Sequence, residues 1–274
     1  MGGILSLERN FSREFQETDT QTIIEKVKIG VMETGLGAGT TFVATSLAKE
    51  LAYSTKKAVA FVELCENSRG NGLLFDAMAM DKRFEGRKFH NFHRLVSENK
   101  YIRKCKNIDG RINWAVVPPN SMNVTLSALQ ELRLINNIRG DIIICDFGAD
   151  IKEYLMGDMD MVICVMDPMP SQLISSRKIY RLLKQDENNG GAVVWIVNKM
   201  NDGINNKSFR DYMRIKDYIS IPLIKPELFY TAEYNCRVFY EQKEIREKVQ
   251  GKIKEIIEKH MVDLLGDNTY VTKK

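Results

Sequence analysis

The sequence predicts an α/β fold, a doubly wound and mostly parallel sheet with helices on both faces. Three observations predict it. Short apolar, β-rich runs alternate with stretches of helical periodicity along most of the chain. Several of those runs are apolar almost throughout, as strands covered on both faces must be. The first of them also passes into a helical stretch through a glycine-rich turn, "ETGLGAGTT", residues 33–41.

In chain order, residues 1–25 form a polar, mixed extension. Ile4, Leu7, Phe11 and Phe15 recur there at helical spacing, so a short amphipathic helix packed on its own domain is expected. "MGGILS" matches the myristoylation pattern, which is short and common by chance. Residues 26–265 form the main domain and 266–274 a tail. Strands are expected at 26–32, 58–64, 112–117, 141–146, 161–166 and 192–197, with a short one at 221–224. Helices are expected at 41–53, 124–138, 171–185, 207–218 and 240–265. The last carries Ile245, Val249, Ile253, Ile256, Ile257, Met261 and Leu264 on one stripe, with lysines and glutamates mixed elsewhere. A membrane-surface helix would be biased to Lys and Arg, so this one is expected to close the domain. Strand–helix alternation of this kind implies parallel strands joined by right-handed crossovers.

Composition narrows the class. A chain of 274 residues fits one large α/β domain or two small ones. Its five cysteines, Cys65, Cys105, Cys145, Cys164 and Cys236, are scattered and form no CxxC pair. They fall mostly in apolar runs and read as reduced, buried thiols of a cytoplasmic protein rather than a disulfide or zinc framework. No apolar run approaches the roughly 18 residues of a membrane span, and the N-terminus lacks the apolar core of a secretory signal. The net charge of +4 permits contact with nucleic acid or an anionic surface without requiring either. Residues 66–111 break the rhythm. Lysines and arginines crowd 82–106, a candidate for non-specific DNA contact, though a charge run is more often a solvated face. His90 and His93 lie there with no further ligand in view, and are expected at the surface.

A strand–turn–helix binds phosphate by two means. Backbone N–H groups point into a nest, and the helix N-terminus adds partial positive charge. Both need backbone that approaches the ligand closely, hence Gly35, Gly37, Gly39 and the small Ala38, with Leu36 between them. Thr41 then starts the helix, where its hydroxyl is placed to hold Mg²⁺. The usual pattern is G-x-x-x-x-G-K-[ST]. Here Thr40 stands at the lysine and Thr34 at the first glycine. A dinucleotide-binding turn is a rival reading of the same glycines, with Glu63 at a loosely compatible distance for a ribose.

"KIGVMETGLGAGTTFVATSLAKELA" followed by "KKAVAFVEL" resembles the opening of the ParA/MinD group of deviant-Walker P-loop ATPases. "GDIIICDFGAD" is similar to their Walker B strand, with Asp146 at its acidic position. "MDMVICVMDPMPSQLISSRKIYRLLK" resembles the next strand, its proline-bearing loop and the following helix. "GGAVVWIVNK" resembles the strand ending in Asn198, which in that group faces the adenine. The resemblance covers roughly residues 26–260 in order. It implies a nucleotide site formed by 35–41 and Asn198, with Thr41 and Asp146 on Mg²⁺ and ATP as the ligand. It also marks departures. The Walker lysine falls on Thr40 and the group's second, "signature" lysine on Gly35. The D-x-D after the second strand reads Glu63, Leu64, Cys65, leaving Glu63 or Glu66 as the stand-in catalytic carboxylate.

A lysine ammonium about 4 Å from a phosphate oxygen contributes roughly 4 kcal/mol at an effective dielectric near 20. Losing half of that is more than tenfold in affinity or rate. The sequence therefore points first to a weakly active or inactive ATPase homologue used in positioning or assembly, with a protein partner that includes a second copy as homodimer. Degenerate bacterial relatives of that kind resemble the localisation proteins of tight-adherence pilus systems, at the membrane periphery or the cell pole. An active partition or division-site ATPase drawing a cation from elsewhere, such as Lys199 or Arg177, is the second reading. A DNA-binding module through 82–106 is the third.

Overall fold

The structure is a computed structural model that describes residues 26–64, 73–119, 124–149, 152–215 and 217–266. The expected N-terminal helix, Cys65, Glu66 and nearly all of the tail lie outside the described residues. Strands are β1 Val27–Glu33, β2 Val59–Glu63, β3 Ile108–Asp109, β4 Ile112–Ala115, β5 Ile142–Gly148, β6 Met161–Met166, β7 Val193–Met200 and β8 Ile219–Pro222. The helices that matter below are α1 Thr40–Ser54, α2 Leu73–Ala77, α3 Met80–Arg83, α4 Phe92–Ser97, α5 Ala128–Asn137 and α6 Glu153–Met156. They continue with α7 Pro170–Ser175, α8 Arg177–Asn188, α9 Asn206–Met213, α10 Pro226–Tyr234 and α11 Lys243–His260.

The strands form one sheet in the order β3-β4-β2-β5-β1-β6-β7-β8. All neighbours pair in parallel except β3 with β4. The chain leaves β1 toward β2 on one side and later builds β6, β7 and β8 on the other. Loops at the carboxyl ends therefore diverge at β1, where open α/β sheets place their ligands.

Alternation along each strand covers both faces. In β5, Ile142 and Ile144 join the layer under α1 and α11, while Ile143, Cys145 and Phe147 join the layer under α5 and α9. In β1, Val27, Ile29 and Val31 face the first layer. Gly30 is required between them, because a Cβ there would meet the Phe147 ring at 2.5 Å. α11 buries Ile245, Val249, Ile253, Ile256 and Ile257, the stripe its sequence predicts.

One polar cluster ties the basic segment to the domain. Lys49 of α1 is fully buried, with Nζ 2.6 Å from Glu241 Oε1 and 5.5 Å from the centroid of the Trp114 ring. Arg83 Nη2 meets Glu241 Oε2 at 2.9 Å and Arg83 Nη1 meets Asp109 Oδ2 at 2.7 Å. Burial of these charges is tolerated because each one is paired.

The elements differ from the sequence reading in a few places. The helix expected at 171–185 is two, α7 and α8, parted at Ser176, whose hydroxyl bonds back to the Leu173 carbonyl. The helix expected to reach 218 stops at Met213, because Arg214 turns left-handed with φ 52°. The terminal helix starts at Lys243 and ends at His260; a 3₁₀ turn, Phe239–Glu241, precedes it and a short helix, Val262–Leu265, follows it. His93, expected at the surface, is buried in α4. Of the expected buried cysteines, Cys145 and Cys164 are buried while Cys105 and Cys236 are half-exposed.

Candidate nucleotide site

β1 ends at Glu33 and α1 begins at Thr40, so the glycine-rich turn spans the carboxyl edge of the central strand. Two of its glycines are demanded by backbone shape. Gly37 has φ 78° and Gly39 has φ 99°, a region that side-chain-bearing residues avoid. Gly39 is also the N-cap of α1, and a Cβ there would sit 2.4 Å from Asn198 Nδ2. Asn198 lies over the turn and donates to the Ala38 carbonyl at 2.8 Å. One of its amide N–H groups thus holds the loop itself, a contact beside the base-facing role the resemblance implies. Gly35 packs against α7, where a Cβ would meet Gln172 Oε1 at 2.8 Å. Leu36, at the turn's tip, is exposed.

Thr41 and Asp146 meet at an acidic corner beside the turn. Thr41 Oγ1 donates to Asp146 Oδ2 at 2.6 Å, and Gly148 N–H donates to Asp146 Oδ1 at 3.1 Å. Burial pushes the Asp146 carboxyl up to about 6; the bonds from Thr41 and Gly148 oppose that shift, and the Glu33 charge adds to it. A hydroxyl and a carboxylate side by side form an all-oxygen donor pair. Mg²⁺ takes such sets with one or two carboxylates, completing its shell with waters and substrate phosphates. Among the described residues no cluster of three or more His, Cys, Asp or Glu is arranged to hold a metal by itself. The residues present therefore fit a nucleotide-borne Mg²⁺ and not a protein-caged one.

Glu63 ends β2 directly beside Asp146 in register. Its Oε2 accepts the Val117 N–H at 2.7 Å, and burial pushes its carboxyl up to about 8. Its main-chain carbonyl lies 2.6 Å from His93 Nε2, which must then carry the proton. His93 Nδ1 is buried without a hydrogen-bond partner, and burial holds the ring's pKa down at about 4. Glu63 is thus a buried carboxyl bonded to the backbone.

The cationic side of the site differs from the usual pattern. Thr40 is 2% exposed, and its hydroxyl donates to Glu33 Oε2 at 2.9 Å. Glu33 Oε1 accepts the Gly37 N–H at 3.1 Å. Lys199 Nζ reaches the Gly37 carbonyl at 2.6 Å and Asp167 Oδ2 at 2.7 Å. Lys199 itself is left-handed, with φ 62°. Sequence reasoning named Lys199 but missed Glu33, whose signal was present: an acid closing an otherwise apolar strand at the mouth of the turn. Beside the loop, a cavity of about 680 Å³ runs between α7 and α9, lined by Met169, Ile174, Phe209 and Tyr212, with Asp167 and Lys199 at its loop end.

The basic 82–106 segment is partly consumed by internal contacts. Besides Arg83, Arg94 and Lys100 both pair with Glu98, and Arg103 bonds Asn137. Among the described residues no helix is long and apolar enough to cross a membrane.

No protein-family model matches the sequence, and no curated protein matches it either. Solved structures do resemble it in shape. MinD, the septum site-determining protein of Pyrococcus horikoshii complexed with Mg-ADP, is 17% identical, with a TM-score of 0.67 over 88% of this chain and 98% of its own. A plasmid partition protein of Borrelia burgdorferi bound to AMPPNP is 16% identical, with a TM-score of 0.65 over 86% and 99%. MinD in the MinC:MinD complex of Aquifex aeolicus is 15% identical, with a TM-score of 0.62 over 86% and 98%. Such identities carry the fold alone: with its eight-stranded, mostly parallel sheet, this chain has the fold of the ParA/MinD-type P-loop ATPases.

Proposed function

We propose that this chain is a ParA/MinD-like positioning or assembly protein that binds Mg-nucleotide weakly and hydrolyses it poorly. Its protein partners include a second copy of itself. The observation that carries the reading is the charge around the loop. Where that fold's ATPases place an ammonium, Thr40 offers a buried hydroxyl already bonded to Glu33. Where the second lysine belongs, Gly35 offers nothing. Phosphoryl transfer depends on positioning and charge stabilisation, so both losses act on the rate as well as on affinity. Thr41 and Asp146 would hold the Mg²⁺ that a nucleotide brings. Gly35, Leu36, Gly37, Ala38, Gly39 and Thr40 would line the phosphates, with Asn198 steadying the loop through Ala38. Mg²⁺ supplies charge neutralisation of the phosphates. Glu63, at the position the resemblance implies for a water-orienting carboxylate, is buried, bonded to the Val117 N–H and protonated at neutral pH, which fits slow hydrolysis. Solved neighbours of this fold complexed with Mg-ADP and with AMPPNP support assigning the site to a nucleotide, and MinD in its complex with MinC supports a protein partner.

A second reading, an active partition or division-site ATPase, is favoured by Lys199, whose ammonium already sits on the loop at the Gly37 carbonyl. Its pairing with Asp167 at 2.7 Å offsets that charge. Titration of ATP with Mg²⁺ into the wild-type chain and Thr40→Lys separates the two. We expect the variant to bind at least tenfold more tightly. Equal affinity, with turnover in the wild-type chain, means the site already has its cation.

A further inference from the structure

The reading above, on which this inference rests, concerns the positive charge the loop lacks. The loop also carries a negative charge of its own. Glu33 stands at its mouth, 7% exposed. One carboxylate oxygen accepts the Gly37 N–H at 3.1 Å and the other accepts the Thr40 hydroxyl at 2.9 Å. The carbonyl of the same Gly37 is held from the other side by Lys199 Nζ at 2.6 Å. The Gly37 peptide is thus gripped at both polar ends by side chains of this chain. No side chain caps α1 at Gly39, and its first turn holds no acidic residue, so Glu33 is the carboxylate nearest to that helix's free donors along the chain.

In a phosphate loop the inward N–H groups belong to the ligand. Here one of them is already taken by an anion. We propose that Glu33 is an internal competitor for the polyphosphate: its carboxylate occupies the Gly37 donor and the Thr40 position, so an incoming phosphate chain must displace it to seat. Two consequences follow. The empty loop is held in shape without ligand, because its glycine peptide and its threonine hydroxyl are satisfied internally. An anion that does enter meets like charge from Glu33 on one side and from Asp146 on the other, so its affinity is low unless Glu33 swings away or a divalent cation bridges them. A purely structural Glu33, one that only stabilises the turn, predicts the first effect and not the second.

The test uses the full chain and inorganic pyrophosphate with Mg²⁺, a probe with no base, read by titration calorimetry. Glu33→Gln keeps the length and the acceptor for Gly37 but removes the charge. We expect it to bind pyrophosphate at least tenfold more tightly than the wild-type chain. Glu33→Asp keeps the charge but withdraws it from Gly37, and serves where the glutamine variant does not fold; a severalfold gain is expected. Unchanged affinity in both variants overturns the proposal. Thr40→Lys, titrated alongside, separates this inference from the reading it rests on. A gain in Thr40→Lys alone removes the competitor and leaves the missing cation. A gain in Glu33→Gln alone keeps the competitor and removes the missing cation. No gain in either removes both.

Discussion

At one corner of the site Thr41 and Asp146 meet at 2.6 Å, an all-oxygen pair in the buried arrangement a magnesium-bearing ligand needs. At the other, around Gly37, a carboxylate and an ammonium of the chain itself hold both ends of a single peptide. On the function proposed above, the first corner keeps the chemistry of its fold, while the second, with Thr40 at the lysine position of the P-loop pattern, places Glu33 where negative charge works against a phosphate. On that reading a nucleotide fold loses its functions separately. Backbone shape and the metal corner depend on glycine geometry and one buried acid, while the electrostatic half depends on side chains that exchange without disturbing the sheet.

The largest effect expected lies beside the metal corner. Glu63 is held near 8 against an ordinary 4.5, chiefly by burial. Between those values the folded state keeps a proton that the unfolded chain has released, so stability falls as pH rises across that window. The slope reaches about 1.4 kcal/mol per pH unit where the two states differ by a whole proton. Asp146, raised to about 6 from 3.8, adds to the fall at the acidic end. Denaturant unfolding from pH 5 to pH 8 is expected to show that decline, and Glu63→Gln to flatten its upper part. A profile flat in the wild-type chain would mean that the metal corner stores no such cost.

The loop's own geometry comes next. Gly39→Ala meets both a φ of 99° and a contact of 2.4 Å with Asn198, and is expected to cost about 3 kcal/mol. Gly37→Ala meets a φ of 78° with nothing within 4 Å, and is expected to cost about 1 kcal/mol. Equal losses in the two variants would show that Asn198 does not press on the loop. The smallest effect belongs to the phosphate corner: Lys199→Met removes the ammonium from Gly37 and Asp167, and because that side chain is partly exposed the loss of stability is expected below about 1 kcal/mol.

Much of this was legible in the sequence where the physics is local. Seven strands read out in order because each is a short apolar run bounded by breakers. Gly37 and Gly39 of the turn read out because only glycine readily tolerates their backbone. Two local signals were present and missed: Gly110, which with Arg111 forms the two-residue turn from β3 to β4 at φ 55° and 68°, and Pro226, which opens α10 at its first turn. What stayed hidden depends on closure across long separations. Arg83 reads as one more charge in a basic run until Glu241, distant in sequence, arrives beside it. His93 reads as a surface residue until β2 offers it the Glu63 carbonyl. Glu33 reads as the end of a strand until the loop folds back over it.

The central claim is that this loop keeps the shape of a phosphate cradle while its charges oppose a phosphate. Calorimetric titration of ATP with Mg²⁺ into the wild-type chain and into the double variant Glu33→Gln/Thr40→Lys tests it most directly. We expect tighter binding in the double variant, about a hundredfold if the two sites act independently and no less than about tenfold if they are coupled. A wild-type chain that binds as tightly as the double variant would contradict it.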